Sequence, residues 1–160
     1  MEIRHSADEL LGRFKRGSTG ILGTVNTNTN ESRLRVMYYG VDDDFNCYMM
    51  STKGSPKVEQ ISMCSSVAFL IFVVEEPYDL SWEIEVNGQA VFLDNDSEIQ
   101  IALKTMMDRN PFADVALESG ITRQFDFFKL IPVTIRFRIY GEALQGNEPT
   151  ILEFDSNKMP

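Results

Sequence analysis

The sequence predicts a mainly β chain of the α+β class, a small antiparallel barrel with a few peripheral helices. Three observations predict it. Apolar and polar residues alternate over long stretches, most plainly where Trp82, Ile84 and Val86 interleave with Glu83, Glu85 and Asn87. Short polar turns separate most of these stretches, as hairpins require. A length of 160 residues, 43% hydrophobic and 24% charged, is enough for one domain with a real core.

Each element has its own signal. Leu10, Leu11 and Phe14 share one helical face over 6–14, with Ser6 as N-cap and Gly17 beyond the end. Strands over 20–25 and 34–41 flank the turn-prone residues 27–30. Asp42, Asp43 and Asp44 form a second tight connection, into a strand over 46–51. Ser55-Pro56-Lys57 is a helix start, with serine as the cap and proline at the first position, where its missing N–H costs nothing; this helix runs to Ile61. Residues 67–74 are β-branched or aromatic with no polar side chain, which predicts a central strand buried on both faces.

Pro77 then breaks the chain. A long strand spans 82–93, with Gly88 marking a bulge or bend. An amphipathic helix over 96–107 carries Ile99, Leu103, Met106 and Met107, and a short helical piece covers 111–117. The last strand spans 126–139, where Pro132 needs a bulge or an edge. Beyond Gly141 only Ile151, Leu152 and Phe154 are large and apolar, so 1–141 reads as the domain and 142–160 as a C-terminal tail, loose or docked on a partner. The count is six strands.

Composition excludes several classes. A net charge of −9 speaks against nucleic acid and anionic membranes as partners. Cys47 and Cys64 lack metal or redox spacing and read as thiols of a reducing cytosol. With His5 as the one histidine, neither a histidine metal site nor a Ser-His-Asp triad is expected. The charged start MEIRHSADELL is not a signal peptide, and no apolar run is long enough to span a membrane. These features predict a cytoplasmic protein.

One stretch carries chemistry. Residues 33–57 gather Arg33, Arg35, Lys53 and Lys57 with the hydroxyls of Ser51, Thr52 and Ser55. A phosphate monoester is held by guanidinium forks, ammonium groups and the free N–H groups of a helix N-terminus. Period-2 alternation places Arg33 and Arg35 on one face, and an adjacent antiparallel strand can bring Ser51 and Thr52 beside them. The bland alternative stays open: solvated arginines on a half-exposed strand, and a Ser-Pro-Lys that only caps a helix. No glycine-rich phosphate loop is present to decide between them.

The order R-x-R-V-M-Y-Y strand, D-D turn, Y-M-M-S-T strand, S-P-K helix and V-A-F-L-I-F strand resembles the pyridoxamine 5′-phosphate oxidase-like flavin-binding family. W-E-I-E-V-N-G-Q-A-V-F and F-F-K-L-I-P-V-T-I-R-F fit the same pattern, so the resemblance covers most of residues 7–140. It implies a six-stranded antiparallel split β-barrel that forms a homodimer, with FMN in clefts between the two chains. By position, Arg35 and Lys57 resemble the phosphate ligands, assisted by Ser51, Thr52 and Ser55, with Arg33 as the alternative arginine. Val36, Met37 and Tyr38 resemble the strand along the isoalloxazine edge, and Trp82 and Gln89 are weaker candidates for reaching a flavin, including that of the other subunit.

Departures from the family narrow the activity. Tyr39 stands where the true oxidase has a lysine for the substrate phosphate, and the R-x-H substrate motif is missing because no histidine follows His5. Vitamin B6 oxidation is therefore not expected. Haem-using relatives rely on a histidine, and deazaflavin relatives on a more basic groove. The expectation is an FMN-dependent oxidoreductase exchanging hydride or electrons with a small-molecule donor or acceptor; no catalytic acid or base stands out. The alternatives are a non-catalytic flavin-binding or stress-related protein, and a barrel interaction module without flavin.

Overall fold

All six predicted strands form. The computed structural model describes residues 4–155 and 157; residues 1–3 at the start, and 156 and 158–160 in the predicted tail, lie outside the described residues. The chain runs α1 (Ala7–Arg16), β1 (Thr19–Asn26), β2 (Glu31–Tyr38), β3 (Gly40–Val41), β4 (Cys47–Thr52), α2 (Pro56–Met63) and β5 (Ser66–Val73). It continues through β6 (Trp82–Leu93), α3 (Asp96–Met106), α4 (Pro111–Ser119), β7 (Phe125–Ile139), α5 (Tyr140–Leu144) and β8 (Thr150–Glu153). One antiparallel sheet of eight strands is ordered β2-β1-β5-β6-β7-β4-β3, with β8 pairing β7 off this path. It curls into a barrel left open between its edges, β2 and β3.

Two strands exceed the expected six. The stretch 34–41 breaks at Tyr39, whose N–H donates to the Ser18 carbonyl at 3.0 Å; the chain then leaves β1, and Gly40 and Val41 pair with β4. The predicted tail returns to the sheet: Thr150–Glu153 pairs with residues 134–137 of β7. That works because β7 is long enough to change partners, pairing β4 with its first half and β8 with its second.

Gly88 and Pro132 prove to be one feature. The β6–β7 register shifts between Asn87 and Gly88, and Gly88 lies opposite Pro132. A bulge frees the proline from a ladder bond that it cannot donate, and glycine lets the two backbones approach.

The barrel interior is filled by Leu22, Phe69, Ile71, Ile84, Val86, Phe128, Ile135 and Phe137, with Leu10 and Phe14 from α1 and Ile61 from α2. A second core joins α3 and α4 to β4 and β7 through Leu103, Met106, Tyr48, Met50 and Phe127. The expectation that β5 is buried on both faces does not hold within the chain. Val67, Phe69 and Ile71 are inside, but Phe72, on the outer face of β2, β1 and β5, is 50% exposed, its ring meeting that of Tyr140 edge-on at 5.7 Å. Leu34 and Val36 on that face are 74% and 71% exposed.

His5 fastens the two ends of the chain together. Its backbone N–H donates to Thr150 Oγ1 at 3.1 Å, and its ring lies 2.9 Å from both Glu9 and Glu142 carboxylates. Burial disfavours its charge, but hydrogen bonds and charge from Glu142 and Glu9 outweigh that, and its pKa lies above the ordinary value of 6.5. A raised folded-state pKa contributes stability that is complete below the unfolded value and is lost as pH rises through the folded one. His5→Gln is therefore expected to cost about 1 kcal/mol at pH 5.5 and little at pH 9, as read by denaturant unfolding at the two pH values. A cost that does not shrink with pH would rule out the charged clamp.

Candidate functional site

The inner face of β2 meets the N-terminus of α2 at one end of the barrel. Arg35 pairs with Leu22 and Arg33 with Thr24 across the β1–β2 ladder, which sets both arginines on the inner face, as alternation predicts. Leu22 and Thr24 are buried at 0% and 2% exposure. On the neighbouring wall Ser51 and Thr52 close β4, ahead of the turn into α2.

Ser55 is the N-cap of α2 by position, yet its side chain makes no capping bond. Its hydroxyl lies 2.9 Å from that of Ser51, and Lys57 Nζ donates to Ser51 Oγ at 2.9 Å. Pro56 presets the first turn and brings Lys57 back over β4. Thr52 is exposed at the rim.

Arg35 is held from the other side. Gln60 Oε1 accepts from Arg35 Nη2 at 3.2 Å and from Thr24 Oγ1 at 2.6 Å. Arg35 Nη1 is buried and has no hydrogen-bond partner, the one such side-chain atom among the described residues. Among the described residues no carboxylate pairs with Arg33, Arg35 or Lys57. Burial, and then the charge of Arg33, lower the pKa of Arg35; burial, and then the charge of Arg35, lower that of Lys57. Buried polar groups are nearly always satisfied, so like charges around an orphaned guanidinium nitrogen describe a site for an anion. A phosphate monoester supplies the acceptors and the countercharge, and these residues fit one.

Beside this cluster a cleft of 220 Å³ opens where the barrel is split, between Val36-Met37-Tyr38 and Met50-Ser51-Thr52. Lys57 reaches into it from α2; Asn110, Phe112 and Phe125 close the far side. The Phe112 ring stands edge-on to Tyr38 at 5.8 Å. A larger hollow of 570 Å³ elsewhere is lined by Asp43, Asp44, Glu153 and Asp155 against Lys129, so its charge suits no phosphate. Among the described residues no group of three or more acidic, histidine or cysteine side chains could hold a metal ion, and no helix is long and apolar enough to cross a membrane.

The structure brings Arg35, Ser51, Ser55, Lys57, Val36, Met37 and Tyr38 together. It sets Arg33 and Gln89 on a neighbouring depression, where Gln89 bonds Ser65 and Ser66. Trp82 does not join them. It is 3% exposed in the barrel core, with the Arg13 guanidinium 5.4 Å from its ring centre, because β6 turns its even-numbered residues inward there. Tyr39 is also removed: it is fully buried, and its hydroxyl donates to the Phe14 carbonyl at 2.6 Å. Gln60, Thr24, Asn110, Phe112 and Phe125 were not singled out in the sequence. Only Gln60 had a signal there, since it follows Lys57 by one helical turn.

No protein-family model and no curated protein matches the chain. Solved structures do. A heme binding protein from Mycobacterium smegmatis superposes on 94% of this chain at TM-score 0.72 and 16% identity. The chain spans 59% of that protein's length. A candidate pyridoxamine 5′-phosphate oxidase from Listeria innocua aligns at TM-score 0.63 and 21% identity, over 84% of this chain and 97% of its own. The chain has the pyridoxamine 5′-phosphate oxidase-like split-barrel fold. An FAD binding protein from Mycobacterium smegmatis shares this split barrel at TM-score 0.65 and 16% identity, over 84% of this chain and 96% of its own. At such identities the likeness speaks for the fold, and a reading of function rests on the side chains of this split barrel.

Proposed function

We propose that this split barrel is a flavin-binding protein, with FMN as its cofactor, serving as an oxidoreductase for a small-molecule donor or acceptor in the cytoplasm. The observation that carries the reading is the orphaned Nη1 of Arg35, beside Lys57 and without a carboxylate partner among the described residues. Arg35, Lys57, Ser51 and Ser55 would hold the phosphate, with Thr52 at the rim and Arg33 as a further cation. Val36, Met37 and Tyr38 would border the ring system, and Gln89 would lie at the margin. A bound flavin supplies the hydride and electron chemistry. The chain's own work is to anchor the phosphate, border the ring and exclude water from the cleft. The FAD-binding neighbour of the same fold supports a flavin. Haem is disfavoured, because His5 is engaged by Glu9 and Glu142 and does not line the cleft. Free Cys47 and Cys64 fit a reducing compartment.

A homodimer is part of this reading. The cleft of 220 Å³ is smaller than the roughly 300–1,000 Å³ of pockets that enclose a cofactor-sized ligand. Val36 both lines it and lies on the bare apolar face with Leu34 and Ile21. A second copy seated on that face would cover the apolar residues and deepen the cleft. Leu34→Glu with Val36→Glu is expected to give a monomer by light scattering; an unchanged mass, or a monomeric parent protein, removes the two-chain cleft.

The test of the cofactor is the visible absorption spectrum of the purified protein, then heat release and identification of the chromophore. Released FMN is expected. A colourless protein that also fails to take up added FMN would move the function to a non-flavin interaction module. One observation favours a non-catalytic flavin carrier as second reading: Tyr39, in the position of the oxidase's substrate lysine, spends its hydroxyl on the Phe14 carbonyl. NADH or NADPH oxidation coupled to reduction of a quinone separates the two.

A further inference from the structure

We infer that Gln60 is a positioning and selectivity residue of the phosphate site: it aims Arg35 while leaving its charge free for the ligand. The inference rests on the phosphate reading above. Gln60 is 8% exposed and sits on α2 one turn after Lys57. A guanidinium can only donate, so the amide oxygen of Gln60 must face it. Thr24 donates to the same oxygen and fixes that orientation from the β1 side. With Nη2 so engaged, the fork cannot swing away, and Nη1 is left uncommitted in the cluster.

The neutrality of Gln60 matters as much as its reach. A carboxylate would occupy the same space and accept from the same two donors. It would also pair with Arg35 and cancel the positive charge that attracts a phosphate. With an amide, Arg35 is held by geometry alone, and its charge keeps repelling the Lys57 ammonium until an anion arrives. Gln60 thus costs the flavin-free protein some stability and gives the ligand a prepared site. A glutamine with only a packing role would behave otherwise.

The test compares Gln60→Glu and Gln60→Met by titrating FMN and riboflavin against intrinsic fluorescence, with thermal midpoints of the flavin-free proteins. Gln60→Glu is expected to weaken FMN binding about thirtyfold, to change riboflavin binding by less than about threefold, and to raise the midpoint. Gln60→Met keeps length and burial but loses the acceptor. It is expected to weaken FMN about tenfold without raising the midpoint. The inference is overturned if Gln60→Glu binds FMN as the parent does, if FMN and riboflavin lose equally, or if affinity and midpoint fall together in Gln60→Glu. Arg35→Ala with Lys57→Ala keeps the two levels apart. If that double variant loses FMN while the Gln60 variants do not, only the role of Gln60 fails; if it keeps FMN, the phosphate reading itself fails.

Discussion

Arg35→Ala combined with Lys57→Ala is expected to weaken FMN binding by a hundredfold or more, on the order of 3–5 kcal/mol, while riboflavin binding changes little. Each residue is positioned to donate charge-assisted hydrogen bonds to a phosphate, worth about 1.5–3 kcal/mol apiece. The two losses fall short of additive, because Arg35 already weakens the charged state of Lys57. The same repulsion gives the variant an unusual signature: its flavin-free form is expected to unfold no earlier than the parent, since two partly buried, unpaired cations have been removed. The pH dependence has a definite sign. A lysine whose folded pKa is lowered binds its proton more weakly than in the unfolded chain, so the flavin-free protein gains stability as pH rises through that window. FMN affinity moves the opposite way, falling with loss of the ammonium at a lower pH than an exposed lysine would give. Titration of FMN and riboflavin into both proteins across the alkaline range checks these points. An FMN affinity within about threefold of the parent would place the phosphate elsewhere.

Much of this architecture was legible because its signals are local. Alternation gave the long strands and set Arg33 and Arg35 on one face; Ser55-Pro56-Lys57 gave the start of α2; Gly88 and Pro132 each pointed to a bulge. Neither showed that they share one bulge, since that depends on the pairing of β6 with β7. The failures are of the same kind. Tyr39 stands in the position of the oxidase's substrate lysine, and nothing local shows that the chain leaves β1 there and turns its ring inward. Trp82 stood as a weaker candidate for reaching a flavin because a lone tryptophan on an alternating strand does not reveal which face is covered. The apolar run of β5 read as doubly buried, whereas a strand with one exposed apolar face has the same composition. Phe112 and Phe125 enter the site only because α3 and α4 fold across β4 and β7. Gln60 is the instructive miss: its helical spacing from Lys57 was readable, but its partners Thr24 and Arg35 lie on two other elements.

The second large effect is expected at Gly88. Its Cα is so close to β7 that an added Cβ would lie 2.1 Å from the Ile131 carbonyl oxygen, 2.9 Å from the carbonyl carbon and 3.0 Å from Leu130 Cδ1. Two of those atoms are backbone of the longest strand, paired with β6 on one side and with β4 or β8 on the other. They cannot step aside without breaking ladder bonds next to a proline that already offers none. Gly88→Ala should therefore cost about 3 kcal/mol or more, against a gain of at most about 1 kcal/mol from a less flexible unfolded chain. For a domain of this size that is a drop of roughly 6–12 °C in the thermal midpoint. Gly23 is the matched control, also a strand glycine: its Cβ would meet Leu34 Cδ2 at 3.4 Å and the Ala68 carbonyl oxygen at 3.6 Å, ordinary contacts. Gly23→Ala should therefore be neutral or slightly stabilising. The difference between the two variants isolates the close approach from the general effect of replacing glycine. Equal midpoints would mean that β6 and β7 are not locked in this register. Gln89, which lies opposite Ser66 on β5 and bonds Ser65 and Ser66, would then lose its fixed place on the depression beside the cleft.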